Sequence, residues 1–174
     1  MTIITISGTP GSGKSTVAEI LKEKIGIKYI YSGEIFRKQA EKYEMTLEEF
    51  GKYCEENSEV DKELDKKQVE ILKRGNVILE GRLAGWLAYK NKIDAFKVFL
   101  DAEVDVRTKR IMKRENGDFE KRKREMIKRE NSEKTRYKNY YDIDISDKSI
   151  YDMVIDTGKK KPDEIVKEII SNMS

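Results

Sequence analysis

The chain reads as an α/β protein: one five-stranded parallel sheet with helices on both faces, a three-layer αβα arrangement. Three observations predict it. Short runs rich in β-branched residues alternate with longer amphipathic runs, the pattern of repeated strand–helix–strand units. The first apolar run, Met1 to Ile6, feeds into the glycine-rich stretch Gly8-Thr9-Pro10-Gly11-Ser12-Gly13-Lys14-Ser15-Thr16, after which a helical pattern starts at Val17. A length of 174 residues, 37% of them hydrophobic, suffices for one domain with a substantial core.

The elements follow in order. Val17, Ala18, Ile20, Leu21 and Ile25 share one helical face, and Gly26 ends that helix. Lys28 to Tyr31 is a short strand. Ser32-Gly33-Glu34 opens a helix through about Lys42, with Ser32 able to cap it. Thr46-Leu47-Glu48-Glu49 is a capping box that starts the next helix. Ser58 is expected to cap a third, with Val60, Leu64, Ile71 and Leu72 as its apolar stripe and Gly75-Asn76 at its end. Val77 to Leu79 is a buried strand, Ala84 to Ala88 a short helix, and Ala95 to Leu100 the next strand. Val104 to Glu115 and Phe119 to Tyr141 are charged helices separated near Asn116-Gly117-Asp118. Asp152 to Asp156 is the last strand, and Pro162 sits in the first turn of a C-terminal helix. The expected organisation is a single domain with core segments 1–31, 75–103 and 150–174. A helical insert covers about 32–74, and a second helical excursion, a lid, covers about 104–141.

Composition narrows the chemistry. The chain has no histidine, so neither the usual proton shuttle nor the usual metal ligand is available. Its one cysteine, Cys54, forms no internal disulfide and reads as a filler in a helix, which suits a reducing cytoplasm. No run of about 18 apolar residues marks a membrane span, and the N-terminus is a strand rather than a signal peptide. The net charge is only +3, yet residues 104–141 carry 14 Lys/Arg against 7 Asp/Glu, which points to a local anionic partner.

Gly8, Gly13, Lys14 and Ser15 fit G-x-x-x-x-G-K-[ST], the phosphate-binding loop, between the strand and the helix it requires. Glycines let backbone N–H groups turn onto phosphate oxygens, and the following helix adds its positive end. Lys14 supplies a charge for the β- and γ-phosphates and Ser15 a hydroxyl for Mg²⁺. Ser32 and Arg37 follow a strand and so lie at the carboxyl edge of the sheet, where such folds bind ligands. Glu80 ends a buried strand, the position from which an acidic residue reaches Mg²⁺ directly or through water, although the usual residue is Asp. Arg82 sits at the same edge. Arg129, Glu133 and Arg136 share a helix face. Asn91-Lys92-Ile93-Asp94 imitates a guanine-reading sequence, but it precedes a strand instead of following one and is set aside.

Together these stretches, with Leu79-Glu80-Gly81-Arg82-Leu83-Ala84-Gly85-Trp86 and Arg129-Glu130-Asn131-Ser132-Glu133-Lys134-Thr135-Arg136-Tyr137, resemble the P-loop nucleoside monophosphate (NMP) kinases over almost the whole chain. Within them the chain is most similar to the shorter, archaeal-type cytidylate kinases. The resemblance implies an NMP-kinase fold and transfer of the ATP γ-phosphoryl group to CMP or dCMP, with Mg²⁺ as cofactor. Gly8 to Thr16, with Arg107 and Arg110, would hold ATP. Ser32, Arg37, Arg82 and Asp65 would contact CMP. Lys14, Arg129 and Arg136 would be catalytic, and Asp156 to Lys159 would sit near adenine. The partners implied are ATP and CMP or dCMP, with no nucleic acid and no membrane, on a monomer. One departure stands out: bacterial cytidylate kinases carry an aspartate after the Gly-Arg pair, and here that residue is Leu83. Asp61, Asp65 and Gln68 share a face of the insert and are the alternative places to read cytosine.

The acceptor phosphate is already an anion near neutral pH, so no general base is needed and catalysis is positioning plus charge stabilisation. Without bound anions the guanidiniums are expected to repel one another and open the lid. Two other readings use parts of the same evidence: a kinase of this fold for AMP, UMP or a nucleoside, and a nucleic-acid-binding ATPase using the basic 104–141 region.

Overall fold

The computed structural model describes residues 1–173, which form five strands and eight helices. In order these are β1 (Ile3–Gly8), α1 (Lys14–Ile25), β2 (Lys28–Tyr31), α2 (Ser32–Lys42), α3 (Leu47–Glu56), α4 (Ser58–Arg74), β3 (Val77–Glu80), α5 (Ala84–Lys90), β4 (Phe96–Asp101), α6 (Val104–Glu115), α7 (Phe119–Tyr141), β5 (Met153–Asp156) and α8 (Pro162–Asn172). The sheet order is β2-β3-β1-β4-β5, with every neighbouring pair parallel. The expected five-stranded parallel sheet is present, with β1 at its centre.

Period-two alternation on β1 builds the two sides of the core. Ile4 and Ile6 join Ile78, Val98 and Leu100 beneath Val17, Ala18 and Leu21 of α1 and Ile165, Val166 and Ile169 of α8. Ile3, Val77 and Leu79 join a second cluster with Ala84, Leu87 and Ala88 of α5 and Leu72 of α4. Each fully buried aliphatic side chain contributes about 1.5–3 kcal/mol of transfer free energy. A third cluster belongs to α2, α3 and α4 alone: Phe50 is fully buried with Ala40, Cys54 and Leu64, and its ring lies 4.9 Å from that of Phe36. The excursion between β2 and β3 thus carries its own small core.

Local signals place most boundaries. Gly26 takes the left-handed conformation, φ 69°, and closes α1. Thr46 and Glu49 form the capping box of α3 in both directions. Pro162 stands in the first turn of α8. Other expectations are corrected. Asn57, not Ser58, occupies the N-cap position of α4, and the Asn57 amide instead donates to the Tyr53 carbonyl at 2.9 Å, closing α3. Ser32 does not cap α2; it is the first helical residue, after Tyr31. α5 extends to Lys90, and Asn91 ends it by donating to the Leu87 carbonyl at 2.8 Å. That role accounts for Asn91 without any base to read.

Candidate active site

The carboxyl ends of β1 and β3 open into a cleft of about 1040 Å³ lined by the glycine-rich loop, α2, α4 and α7. The loop is held from outside. Thr9 Oγ1 donates to Asp101 Oδ1 at 2.8 Å. The carbonyls of Pro10, Gly11 and Ser12 accept from Arg107 (3.3 Å), Arg110 (3.2 Å) and the Thr157 hydroxyl (2.7 Å). With these oxygens engaged, the N–H groups of Gly13, Lys14, Ser15 and Thr16, which have no intrahelical acceptor, are available as donors. Two positions demand glycine. A Cβ on Gly8 would lie 2.2 Å from the Leu100 carbonyl oxygen, and Gly11 has φ +74° with the Arg107 carbonyl oxygen 2.8 Å from where a Cβ would be.

Lys14 Nζ rests on the Thr9 carbonyl at 2.8 Å. Burial lowers its ammonium to about 7. The nearby Arg82 adds to the fall, and Glu80 and Glu133 oppose it. A charge so poorly solvated is ready for an anion. Glu80, 1% exposed, accepts from the Tyr29 hydroxyl at 2.5 Å. The same hydroxyl also interacts with Ser15, so hydroxyl and carboxylate oxygens converge beside Lys14. Such hard oxygen donors fit Mg²⁺ with part of its water shell retained.

The opposite wall is α7. Arg82 NH1 meets Glu133 Oε2 at 2.8 Å, and Arg129 Nε meets the other oxygen of Glu133 at 3.2 Å. Arg136 Nε lies 3.4 Å from Asp61 Oδ2 on α4, and its guanidinium sits 5.2 Å from the Tyr137 ring centre. The Tyr141 hydroxyl donates to Asp65. Burial pushes Asp65 up to about 7, against the pull of the Tyr141 hydrogen bond. These contacts overturn the expectation that guanidiniums alone would drive α7 away. Carboxylates stand between them, Glu133 against Arg82 and Arg129 and Asp61 against Arg136.

The loop, Ser32, Arg37, Asp65, Glu80, Arg82, Arg129 and Arg136 all line the one cleft, apart from Gly8, Thr9 and Ser12, which lie beneath it. Arg37 lines it with an exposed side chain. Arg107 lies elsewhere. It is 5% exposed, donating to the Ala102 and Pro10 carbonyls and pairing with Glu130 at 2.7 Å. Arg110 donates to Thr157 and Gly11, beside the loop. Sequence reasoning missed Tyr29, Tyr141 and the cleft-lining Arg114 and Arg122. Tyr29 faces Glu80 only through the β2–β3 pairing, and Tyr141 meets Asp65 across 76 residues. The basic residues of 104–141 carried only the general anionic signal.

Cys54 lines the same cleft yet is 2% exposed. Burial, helped by Asp61, pushes its thiol up to about 11. At pH 8 its reaction with an aromatic disulfide reagent is expected to be at least about 100-fold slower in the native protein than in denaturant, because the thiolate is the reacting form. Equal rates would show that α3 and α4 do not pack as described.

A family model described as "Cytidylate kinase-like family" matches residues 3–159. A cytidylate kinase of Methanocaldococcus jannaschii is 50% identical over 158 residues, covering 90% of this chain and 89% of that one. A cytidylate kinase of Pyrococcus horikoshii is 44% identical over 174 residues, covering 98% and 89%. Among solved structures, a shikimate kinase from Bacteroides thetaiotaomicron shares the fold, with TM-score 0.65 at 15% identity over 99% of this chain and 98% of that one. With the family model spanning residues 3–159 and relatives 44–50% identical over at least 90% of its length, the chain belongs to the cytidylate kinase-like family.

Proposed function

We propose that this protein transfers the γ-phosphoryl group of ATP to CMP and dCMP, giving ADP and CDP or dCDP. The observation that carries the reading is the single carboxylate of Glu133, 8% exposed, held by Arg82 on the sheet edge and Arg129 on α7. A guanidinium pair converging on one anion beside the Lys14 loop suits two phosphate groups meeting end to end.

The loop N–H groups and Lys14 hold the β- and γ-phosphates of ATP, and Arg110 braces the loop from behind. Arg107 acts through the same loop rather than on the nucleotide. Ser32, Arg37 and Arg82 take the CMP phosphate, with α2–α4 as the acceptor-binding insert and α6–α7 as the lid. Ser15 directly, and Glu80 through water, would hold Mg²⁺, which when bound supplies charge neutralisation between the β- and γ-phosphates. The acceptor oxygen is already anionic, so the protein needs no base. Arg129 and Arg136 stabilise charge on the phosphoryl group in flight, and closing α7 over both nucleotides excludes water as a rival acceptor. Glu133 and Asp61 neutralise the guanidiniums until phosphates replace them. We place the enzyme in the cytoplasm as a monomer; among the described residues no helix is long and apolar enough to cross a membrane.

With ATP labelled in the γ-phosphate, the label is expected in CDP, with phosphate release negligible when CMP is omitted. Label released as free phosphate whether or not CMP is present, with none in CDP, would contradict the reading.

A further inference from the structure

The geometry points to Gln68 Oε1 as the acceptor that reads the cytosine 4-amino group, with Asp65 as the positioning residue that holds the Gln68 amide in that orientation; this rests on the reading of CMP as acceptor. Gln68 is 7% exposed, lines the cleft, and its Oε1 has no hydrogen-bond partner among the described residues. A buried unpartnered acceptor is costly unless a ligand completes it. The oxygen stands close to the backbone of Gly81, beside the Ser32 side chain that packs where a Cβ would be. A Cβ on Gly81 would lie 3.5 Å from Gln68 Oε1 and 2.5 Å from Ser32 Oγ. Gln68, Ser32 and Arg82 line the same cleft, so a nucleotide whose phosphate reaches Arg82 has its base within that cleft.

The amide cannot turn freely. Its Nε2 donates to Asp65 Oδ1 at 3.3 Å, and the other Asp65 oxygen accepts from Tyr141. Above pH 7, where Asp65 is ionised, its oxygens only accept, so turning the amide would set oxygen against oxygen. Asp65 is engaged from both sides, and of the other two polar residues on this face it is Gln68, not Asp61, whose oxygen stands against Gly81. Leu83, at the position after Gly81-Arg82, offers no hydrogen-bonding group. The remaining fixed acceptor is Gln68 Oε1. It matches the N4 hydrogens of cytosine and opposes O4 of uracil. The Ser32 hydroxyl both donates and accepts and does not discriminate. Because Tyr141 is on α7, the chain of hydrogen bonds from Tyr141 through Asp65 to Gln68 is complete only when α7 lies against α4.

The test compares CMP, UMP and the monophosphate of 2-pyrimidinone riboside, which is CMP without the 4-amino group, at pH 8. In the wild-type enzyme, loss of the amino group is expected to lower kcat/KM at least about tenfold. In Gln68→Met that loss costs less than about twofold, and the CMP-to-UMP ratio falls at least about tenfold. Asp65→Asn, whose amide lets Gln68 turn, lowers the same ratio, which a purely structural role would not do. Wild-type enzyme that uses CMP and the analogue equally well, or a Gln68→Met variant that keeps the wild-type ratios, would overturn the assignment and leave the kinase reading intact. If Gln68→Met does not fold, the CMP-to-UMP ratio of Asp65→Asn decides: a fall supports the assignment and an unchanged ratio overturns it. Wild-type enzyme with no CMP turnover would overturn both.

Discussion

Replacing Arg136 with alanine is expected to lower kcat for CMP phosphorylation by about 10³-fold while KM for ATP moves less than about threefold. The guanidinium lies against Asp61 of α4 and Tyr137, and among the described residues it forms no hydrogen bond or ion pair with Gly8 to Thr16. Its proposed contribution is to charge that develops in transfer, so its removal raises the barrier and leaves ATP binding in place. The variant also leaves Asp61, whose side chain is 12% exposed, without its ion pair, and stability is expected to fall. The double variant Arg136→Ala/Asp61→Asn separates the two effects: melting temperature recovers and kcat does not. A single variant with near-normal kcat would remove Arg136 from the mechanism. Initial rates over a matrix of ATP and CMP concentrations, with thermal melts of both variants, supply the check.

Lys14→Met is expected to lower kcat by about 10²–10³-fold without lowering the melting temperature of the free protein. The ammonium is held in the folded chain at about 7 against an ordinary 10.5. Between those values the unfolded chain carries a proton that the folded chain lacks. Stability from this group therefore rises with pH across that window and is least below pH 7, where the charge is buried in full. Methionine removes the charge and this pH dependence together. ATP phosphates favour the charged form, so ATP binding at pH 8 draws a proton onto Lys14. Calorimetric titrations in two buffers of different ionisation enthalpy measure that uptake. It is expected in the wild-type protein and absent in Lys14→Met. Uptake unchanged by the substitution would assign the proton elsewhere and contradict the desolvated lysine.

Much of the fold was legible because its signals are local. The bounds of α6 and α7 coincide with Val104–Glu115 and Phe119–Tyr141 as read from charge and periodicity, and Gly26, Thr46 and Pro162 mark helix ends by short-range chemistry. Where local signals competed, the reading slipped. Asn57 and Ser58 are both good N-cap types; Asn57 takes the position while its amide closes α3 at the Tyr53 carbonyl, and neither side chain caps α4. The residues of the cleft were legible by motif, but not their partners. Glu133 shares a helix face with Arg129, yet its contact with Arg82 spans 51 positions and depends on how α7 crosses the sheet edge. Arg107 was expected to hold ATP beside Arg110, and packing shows it as a buried brace of the loop. Asp65, Gln68 and Asp61 were indistinguishable as three polar residues on one face. Tyr141 and Arg136, arriving from α7, are what separate them.

The most direct measurement of the central claim is kcat/KM across CMP, dCMP, UMP, AMP and GMP at fixed saturating ATP, followed by ADP formation. The account predicts CMP and dCMP as the best acceptors, with AMP and GMP at least about 100-fold poorer, since a site built to hydrogen-bond one base edge rejects others strongly. AMP turned over faster than CMP would contradict it.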